Sequence, residues 1–178
     1  FDTAEAGFGR LDAVVVNAGI VAPAMPLAQM EADRLRRVLD TNLLGTLLCA
    51  REAARRLPRP APEPMASLVL VSSIAAKRGA PQEYVDYAAT KGAIDTLTVG
   101  LAKELAAQNV RVNAVRPGLI DTEIHASGGR PDRARALAPL VPMQRPGTPG
   151  EVAEAILWLC SDGASYATGA IVDITGGR

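Results

Sequence analysis

Short, continuous apolar runs alternate with long helical patterns along the whole chain, and this alternation limits the possible folds most strongly. Ala13-Val14-Val15-Val16 is unbroken and β-branched, as a strand covered on both faces should be. Leu68-Val69-Leu70-Val71 and Val110-Arg111-Val112-Asn113-Ala114-Val115 read as further strands, and Ala170-Ile171-Val172-Asp173-Ile174 as a last short one. Helical patterns fill about 31–57, 85–108 and 150–161. Strands joined by long helical crossovers predict a parallel α/β sheet. Segment 119–149 breaks the rhythm with Gly128, Gly129, Pro131, Pro139, Pro142, Pro146 and Gly147 around a helical piece near 131–138. An irregular stretch following a strand end is expected to form a lid over a ligand site. Arg59-Pro60-Ala61-Pro62-Glu63-Pro64 reads as a surface loop between a helix and a strand.

Composition narrows the function. The 178 residues suit one domain, and 19 Lys+Arg offset 19 Asp+Glu. That balance argues against nucleic acid and against an anionic membrane surface as partners. No apolar run reaches the roughly 20 residues of a membrane span. The start, Phe1-Asp2-Thr3-Ala4-Glu5-Ala6, shows no signal-peptide pattern. One histidine, His125, leaves little basis for a Cys/His metal site, so no metal is expected. Cys49 and Cys160 lie in apolar helical patterns and are expected to be buried thiols in a reducing, cytoplasmic setting.

The candidate chemistry centres on Tyr87-Ala88-Ala89-Thr90-Lys91. Tyr87 and Lys91, four apart, share a helix face that continues through Ile94, Thr98, Leu101 and Leu105. A lysine in an apolar stripe either snorkels or holds a specific partner. Beside a phenol, its charge should favour the phenolate and lower the tyrosine pKa. Standing alone, this pair reads first as a surface or packing feature. Two neighbours change that. Ser72 and Ser73 end a strand, where ligands meet an α/β sheet, and Ser73 precedes Tyr87 by a loop long enough to bring the hydroxyls together. In the stripe Leu35, Val38, Leu39, Asn42, Thr46, an amide interrupts an apolar face. It is either a structural hydrogen-bonding group or a catalytic one. His125 reads as an incidental loop histidine, and Tyr84, whose i+4 residue is Ala88, as a pocket wall.

Taken in order, these motifs resemble the short-chain dehydrogenase/reductase family in its compact single-domain form. Asn17-Ala18-Gly19 follows a strand, Asn42 lies in a helix, Ser73 follows the next strand and Tyr87-x-x-x-Lys91 opens the next helix. Pro117-Gly118-Leu119-Ile120-Asp121-Thr122 follows the third strand, and the chain closes on Thr168-Gly169-Ala170-Ile171-Val172-Asp173-Ile174-Thr175-Gly176-Gly177. The resemblance implies hydride transfer between NAD or NADP and a small-molecule alcohol or carbonyl. Tyr87 would be the general acid/base, with Lys91 lowering its pKa and binding the nicotinamide ribose. Ser73 would hold the substrate oxygen, and Asn42 a water linking Lys91 to solvent. Asn17, Ala18 and Gly19 would lie against the adenosine, and Pro117, Gly118, Ile120 and Thr122 along the nicotinamide carboxamide and pyrophosphate. A homodimer or homotetramer built through the two long helices is also implied.

The resemblance further implies a glycine-rich dinucleotide turn ahead of the first strand, and none is found there. The expected fold is therefore a Rossmann-like doubly wound parallel sheet, incomplete, holding C-terminal strands 4–7 of the family order and their helices. Residues 1–178 would be the C-terminal portion of one oxidoreductase domain, with Ala13–Val16 left as a bare edge. The alternative is a non-catalytic fragment or scaffold of the same fold that cannot bind cofactor. Epimerases and dehydratases with the same Tyr/Lys pair usually carry a larger C-terminal substrate domain, for which these residues leave no room.

Overall fold

A computed structural model describes residues 1–178. The elements run α1 (Asp2–Phe8), β1 (Ala13–Val16), α2 (Ala32–Leu39), a π-helical turn (Asp40–Leu44), α3 (Gly45–Arg56), β2 (Ala66–Val71) and α4 (Ala75–Arg78). They continue with α5 (Val85–Leu105), β3 (Val110–Pro117), α6 (Ile124–Ser127), α7 (Arg133–Leu137), α8 (Pro149–Cys160) and β4 (Ile171–Ile174). The four strands form one parallel sheet in the order β1-β2-β3-β4. That is the doubly wound arrangement expected, with β1 at one edge and its Val15 43% exposed.

Side-chain alternation divides the sheet between two layers of helices. Leu68, Leu70, Val110, Val112 and Ala114 meet Ala50, Ala53 and Leu57 from the α3 side and Ile94, Ala102 and Leu105 from α5 in the larger core. Val69 and Val115 face the other way and pack with Ile120 and with Val152 and Leu159 of α8. Each fully buried Leu or Val in these layers contributes about 1.5–3 kcal/mol of transfer free energy.

The α8 side also buries polar strand residues. Arg111 donates to the carbonyls of Leu159 at 2.7 Å and Ser161 at 3.1 Å, so a cation sits on the last carbonyls of α8. Asn113 donates to Ala167 O at 2.8 Å and accepts from Ala170 N at 3.0 Å, steering the chain into β4. At its other end α8 starts on a capping box: Thr148 Oγ1 accepts from Glu151 N at 3.3 Å, and Thr148 N donates to Glu151 Oε2 at 2.8 Å.

The helices lie where the pattern puts them, but burial differs at Leu39 and at the two cysteines. The 31–57 pattern is one continuous rod in which α2 and α3 are joined by the π turn, and Leu39 of the supposed buried stripe is exposed. Cys49 is exposed and Cys160 half-buried, so neither is the enclosed thiol expected. Leu44, Leu47 and Leu48 flank Cys49 and are themselves 41–49% exposed, because α3 turns only Thr46, Ala50 and Ala53 inward. No helix is long and apolar enough to cross a membrane.

Candidate active site

The carboxyl ends of the strands open into two connected cavities. The larger, about 940 Å³, is lined by all nine residues expected to touch a cofactor: Asn17, Ala18, Gly19, Tyr87, Lys91, Pro117, Gly118, Ile120 and Thr122. The smaller, about 400 Å³, is lined by Val21, Ile74, Tyr84, Leu119 and Arg133 among others. Ser73, Tyr87, Gly118, Ile124 and His125 belong to both walls and mark the junction.

Each catalytic candidate is positioned by its element. Tyr87 and Lys91 lie one turn apart near the start of α5, with Lys91 3% exposed. Lys91 Nζ donates to Val71 O at the end of β2, at 2.8 Å, and sits 5.5 Å from the centre of the Tyr87 ring. A buried ammonium is thus held by a strand-end carbonyl and an aromatic face. Burial pushes the Lys91 pKa down to about 8, against the pull of Asp95. Ser73, on the loop from β2 into α4, accepts from Ala75 N at 3.1 Å. Its neighbour Ser72 donates to Lys91 O at 3.0 Å and ties that loop to α5.

The phenol departs from the expected direction. Burial raises the Tyr87 pKa above its ordinary value, and the nearby Ser73 hydroxyl only partly offsets this. The lysine lies against the ring face, so its charge does not overcome the loss of hydration around the phenolate.

Asn42 stands apart from the other three. It is wholly buried in the π turn and does not line either cavity. Its Oδ1 accepts from Ile20 N at 2.8 Å, and its Nδ2 donates to Ile20 O at 2.9 Å. The amide therefore pairs with both sides of one residue's backbone, as a neighbouring strand would. It pins the loop that carries Asn17, Ala18 and Gly19. Asn42 Nδ2 also reaches Thr90 Oγ1 as a longer third contact at 3.4 Å.

The larger cavity suits an extended dinucleotide. A Cβ on Gly19 would lie 3.4 Å from Lys91 Nζ and 3.5 Å from Asn42 Oδ1, ordinary contact distances, so this loop position packs directly beside the ammonium. Gly118 is held against the C-terminal turn, where a Cβ would fall 2.8 Å from Thr175 Cα. Segment 119–149 closes on itself through Gly147 N to Leu119 O and Asp121 N to Gly147 O, both 2.9 Å. Its residues Ile120–His125 form one wall of this cavity.

Other residues line these cavities that the sequence pattern does not assign to the site, among them His125, which reads there as an incidental loop histidine. His125 stands at the junction with Nε2 2.7 Å from Ile120 O. Arg78, Glu83 and Arg178 line the smaller cavity, and nothing in their spacing marks them. Tyr84 walls that cavity as expected, with the Arg133 guanidinium 5.3 Å from its ring centre.

A doubly wound parallel sheet whose strand ends gather a tyrosine, a serine and a buried lysine is the architecture of a Rossmann-type oxidoreductase. The chain belongs to the short-chain dehydrogenase/reductase family: the family model described as enoyl-(acyl carrier protein) reductase matches residues 1–178. An uncharacterized oxidoreductase of Escherichia coli, YgfF, is 52% identical over 168 residues, which cover 94% of this chain and 68% of that protein. A cis-4-hydroxycyclohexanecarboxylate dehydrogenase of Sinomonas cyclohexanicum is 41% identical over 99% of this chain and 69% of its own length. The crystal structure of a 3-ketoacyl-(acyl-carrier-protein) reductase from Brucella melitensis complexed with NADH superposes with a TM-score of 0.91. It is 31% identical, and the match covers 99% of this chain and 71% of that one.

Proposed function

We propose that this protein interconverts an alcohol and a carbonyl compound using NAD or NADP, with Tyr87 as general acid and base. The observation that carries this reading is that Tyr87 and Ser73 lie on the wall common to both cavities, with Lys91 Nζ against the tyrosine ring. The bound nicotinamide would supply hydride to the carbonyl carbon during reduction and take it back during oxidation. Asn17, Ala18, Gly19, Pro117, Gly118, Ile120 and Thr122 would hold the dinucleotide along the larger cavity, with Lys91 directed at its ribose.

In reduction, Ser73 donates a hydrogen bond to the carbonyl oxygen, and Tyr87 Oη delivers the proton as negative charge develops there. A phenol whose pKa is raised by burial is fully protonated at neutral pH and ready to act as the acid. The Lys91 ammonium then stabilises the phenolate left behind. Asn42 fixes the cofactor loop through Ile20, and its relay of protons from Lys91 through a water is part of the same proposal. Segment 119–149 acts as the lid of the substrate cavity.

Exposed Leu44, Leu47, Leu48 and Val99 on the outer faces of the long helices support a homodimer or homotetramer assembled through them. Light scattering on the purified protein reads this directly.

Tyr87→Phe tests the catalytic reading. Carbonyl reduction should fall by about 10²- to 10⁴-fold, while NADH fluorescence titration and circular dichroism stay unchanged. Retained activity in that variant overturns the assignment.

A further inference from the structure

The smaller cavity carries more positive charge than proton transfer at Tyr87 requires. Arg78 ends α4, Arg133 opens α7 and Arg178 follows β4, and all three reach this one space of about 400 Å³. None of them lines the larger cavity. The smaller cavity's one acidic side chain, Glu83, is already engaged: Arg133 Nη2 donates to its Oε2 at 2.5 Å, and Arg130 Nη1 lies 3.7 Å from its Oε1. Arg78 and Arg178 hydrogen-bond only through their backbone amides, to Ile74 O and Thr175 O. Their guanidiniums have no carboxylate partner.

This concentration of like charge is unfavourable unless something answers it. Burial, then repulsion from Arg78 and Arg133, holds the Arg178 guanidinium below its usual basicity. Arg133 Nε is buried without a hydrogen-bond partner. The remaining wall is mostly apolar, with Val21, Ile74, Leu119 and Ile124 lining the same space as Tyr87 and Ser73. A cavity that holds a proton donor, two guanidiniums without a carboxylate partner and an otherwise apolar lining suits one kind of molecule.

We infer that the substrate carries an anionic group remote from its reacting carbon, on an apolar body, and that Arg78 and Arg178 bind that group. This inference rests on the reading of Tyr87 and Ser73 as the reacting end. Carboxylate and phosphate share the required chemistry, since either accepts paired N–H donors from a guanidinium.

The experiment compares levulinate and its homologues with one and two further methylenes, each against its own methyl ester. Dihydroxyacetone phosphate against dihydroxyacetone forms a second arm that separates phosphate from carboxylate. With the wild-type protein, kcat/KM should favour the anion over its neutral partner by at least about tenfold in one arm. In Arg78→Gln/Arg178→Gln that preference should shrink about 10- to 100-fold, the loss expected when charge-assisted hydrogen bonds are removed, while turnover of the neutral partner is kept. Equal treatment of anions and neutral partners, or equal loss for both in the variant, overturns the inference. Arg78 is exposed, so Arg78→Gln alone serves if the double variant does not fold.

Calorimetric binding of the same anions separates this inference from the catalytic reading. Arginine-dependent binding without turnover keeps the anion site and removes the catalytic reading. Turnover without anion preference does the reverse.

Discussion

Arg34 grips Asp86 with two nitrogens, Nε to Oδ2 at 2.9 Å and Nη2 to Oδ1 at 3.3 Å, and the two side chains are 8% and 3% exposed. Asp86 stands in the first turn of α5, directly before Tyr87, and Arg34 also reaches the carbonyl of Pro23. One guanidinium thus fixes the start of the tyrosine helix relative to α2 and to the loop after β1. Asp86→Ala leaves that cation buried without its counter-charge. It should cost about 3–5 kcal/mol, read as a lowered urea midpoint. Replacing both partners, Arg34→Met with Asp86→Leu, should recover most of the loss. Equal losses in the single and double variants would show that packing, not the pair, holds this junction.

Burial of Lys91 makes stability depend on pH. Its pKa falls from 10.5 to about 8 on folding, so between those values the unfolded chain holds more protons and stability rises with pH. Below about 8 both states are charged and the penalty is constant, of order 3 kcal/mol. Tyr87 acts in the opposite sense above pH 10, where the folded chain keeps a phenolic proton that the unfolded chain releases. Lys91→Met should be more stable than wild type near neutral pH, and the gap should close as pH approaches 10.5. Urea midpoints of the two proteins across that range give the result. A gap independent of pH is incompatible with a desolvated ammonium.

Asn42→Ala strips Ile20 of a donor and an acceptor together. Two part-buried backbone groups left unpaired should cost about 1 kcal/mol each, the low end of the range for buried ones. The loop bearing Asn17, Ala18 and Gly19 should loosen at the same time, raising the NADH dissociation constant by about tenfold, an energy near 1.4 kcal/mol. Unchanged NADH affinity in a destabilised Asn42→Ala protein would confine Asn42 to folding.

Gly118→Ala addresses the opposite wall. The added methyl meets Thr175 Cα at 2.8 Å, a backbone atom that cannot rotate away. Destabilisation of about 1–3 kcal/mol, the usual cost of overpacking, should appear in thermal unfolding. Gly100→Ala, where a Cβ meets no atom within 4 Å, is the control and should leave unfolding unchanged or slightly stabilised.

The strands and the ordering of the site were legible because they depend on local pattern. Ala13–Val16 is an unbroken apolar run and forms a strand with those bounds. Ser73, Tyr87 and Lys91 each sit where a strand end or helix face directs them to one crevice. What could not be read depends on three-dimensional neighbours. Arg111 and Asn113 look like interruptions of a strand until the end of α8 and the chain entering β4 supply their partners. The shift at Tyr87 reverses because burial outweighs a cation lying against the ring face. Arg78 and Arg178 lie 100 positions apart in the sequence, and only the fold brings them to one cavity.

The π turn at Asp40–Leu44 settles a problem of angular bookkeeping. Arg34, Val38, Asn42, Thr46 and Ala50 are all buried, each four residues after the last. In an ideal α-helix, steps of four overshoot a full turn by about 40°. Four such steps would carry Ala50 to nearly the opposite side of the rod from Arg34. The wider turn absorbs roughly one residue, about 100° of rotation. The clamp on Asp86, the clamp on Ile20 and the core contact of Ala50 therefore stay within about 60° of one another, on one broad face of the rod. Removing one residue between 40 and 44 would not merely shorten this rod. It would act as a torsional dislocation, turning Arg34 away from Asp86 while leaving α3 seated on the sheet.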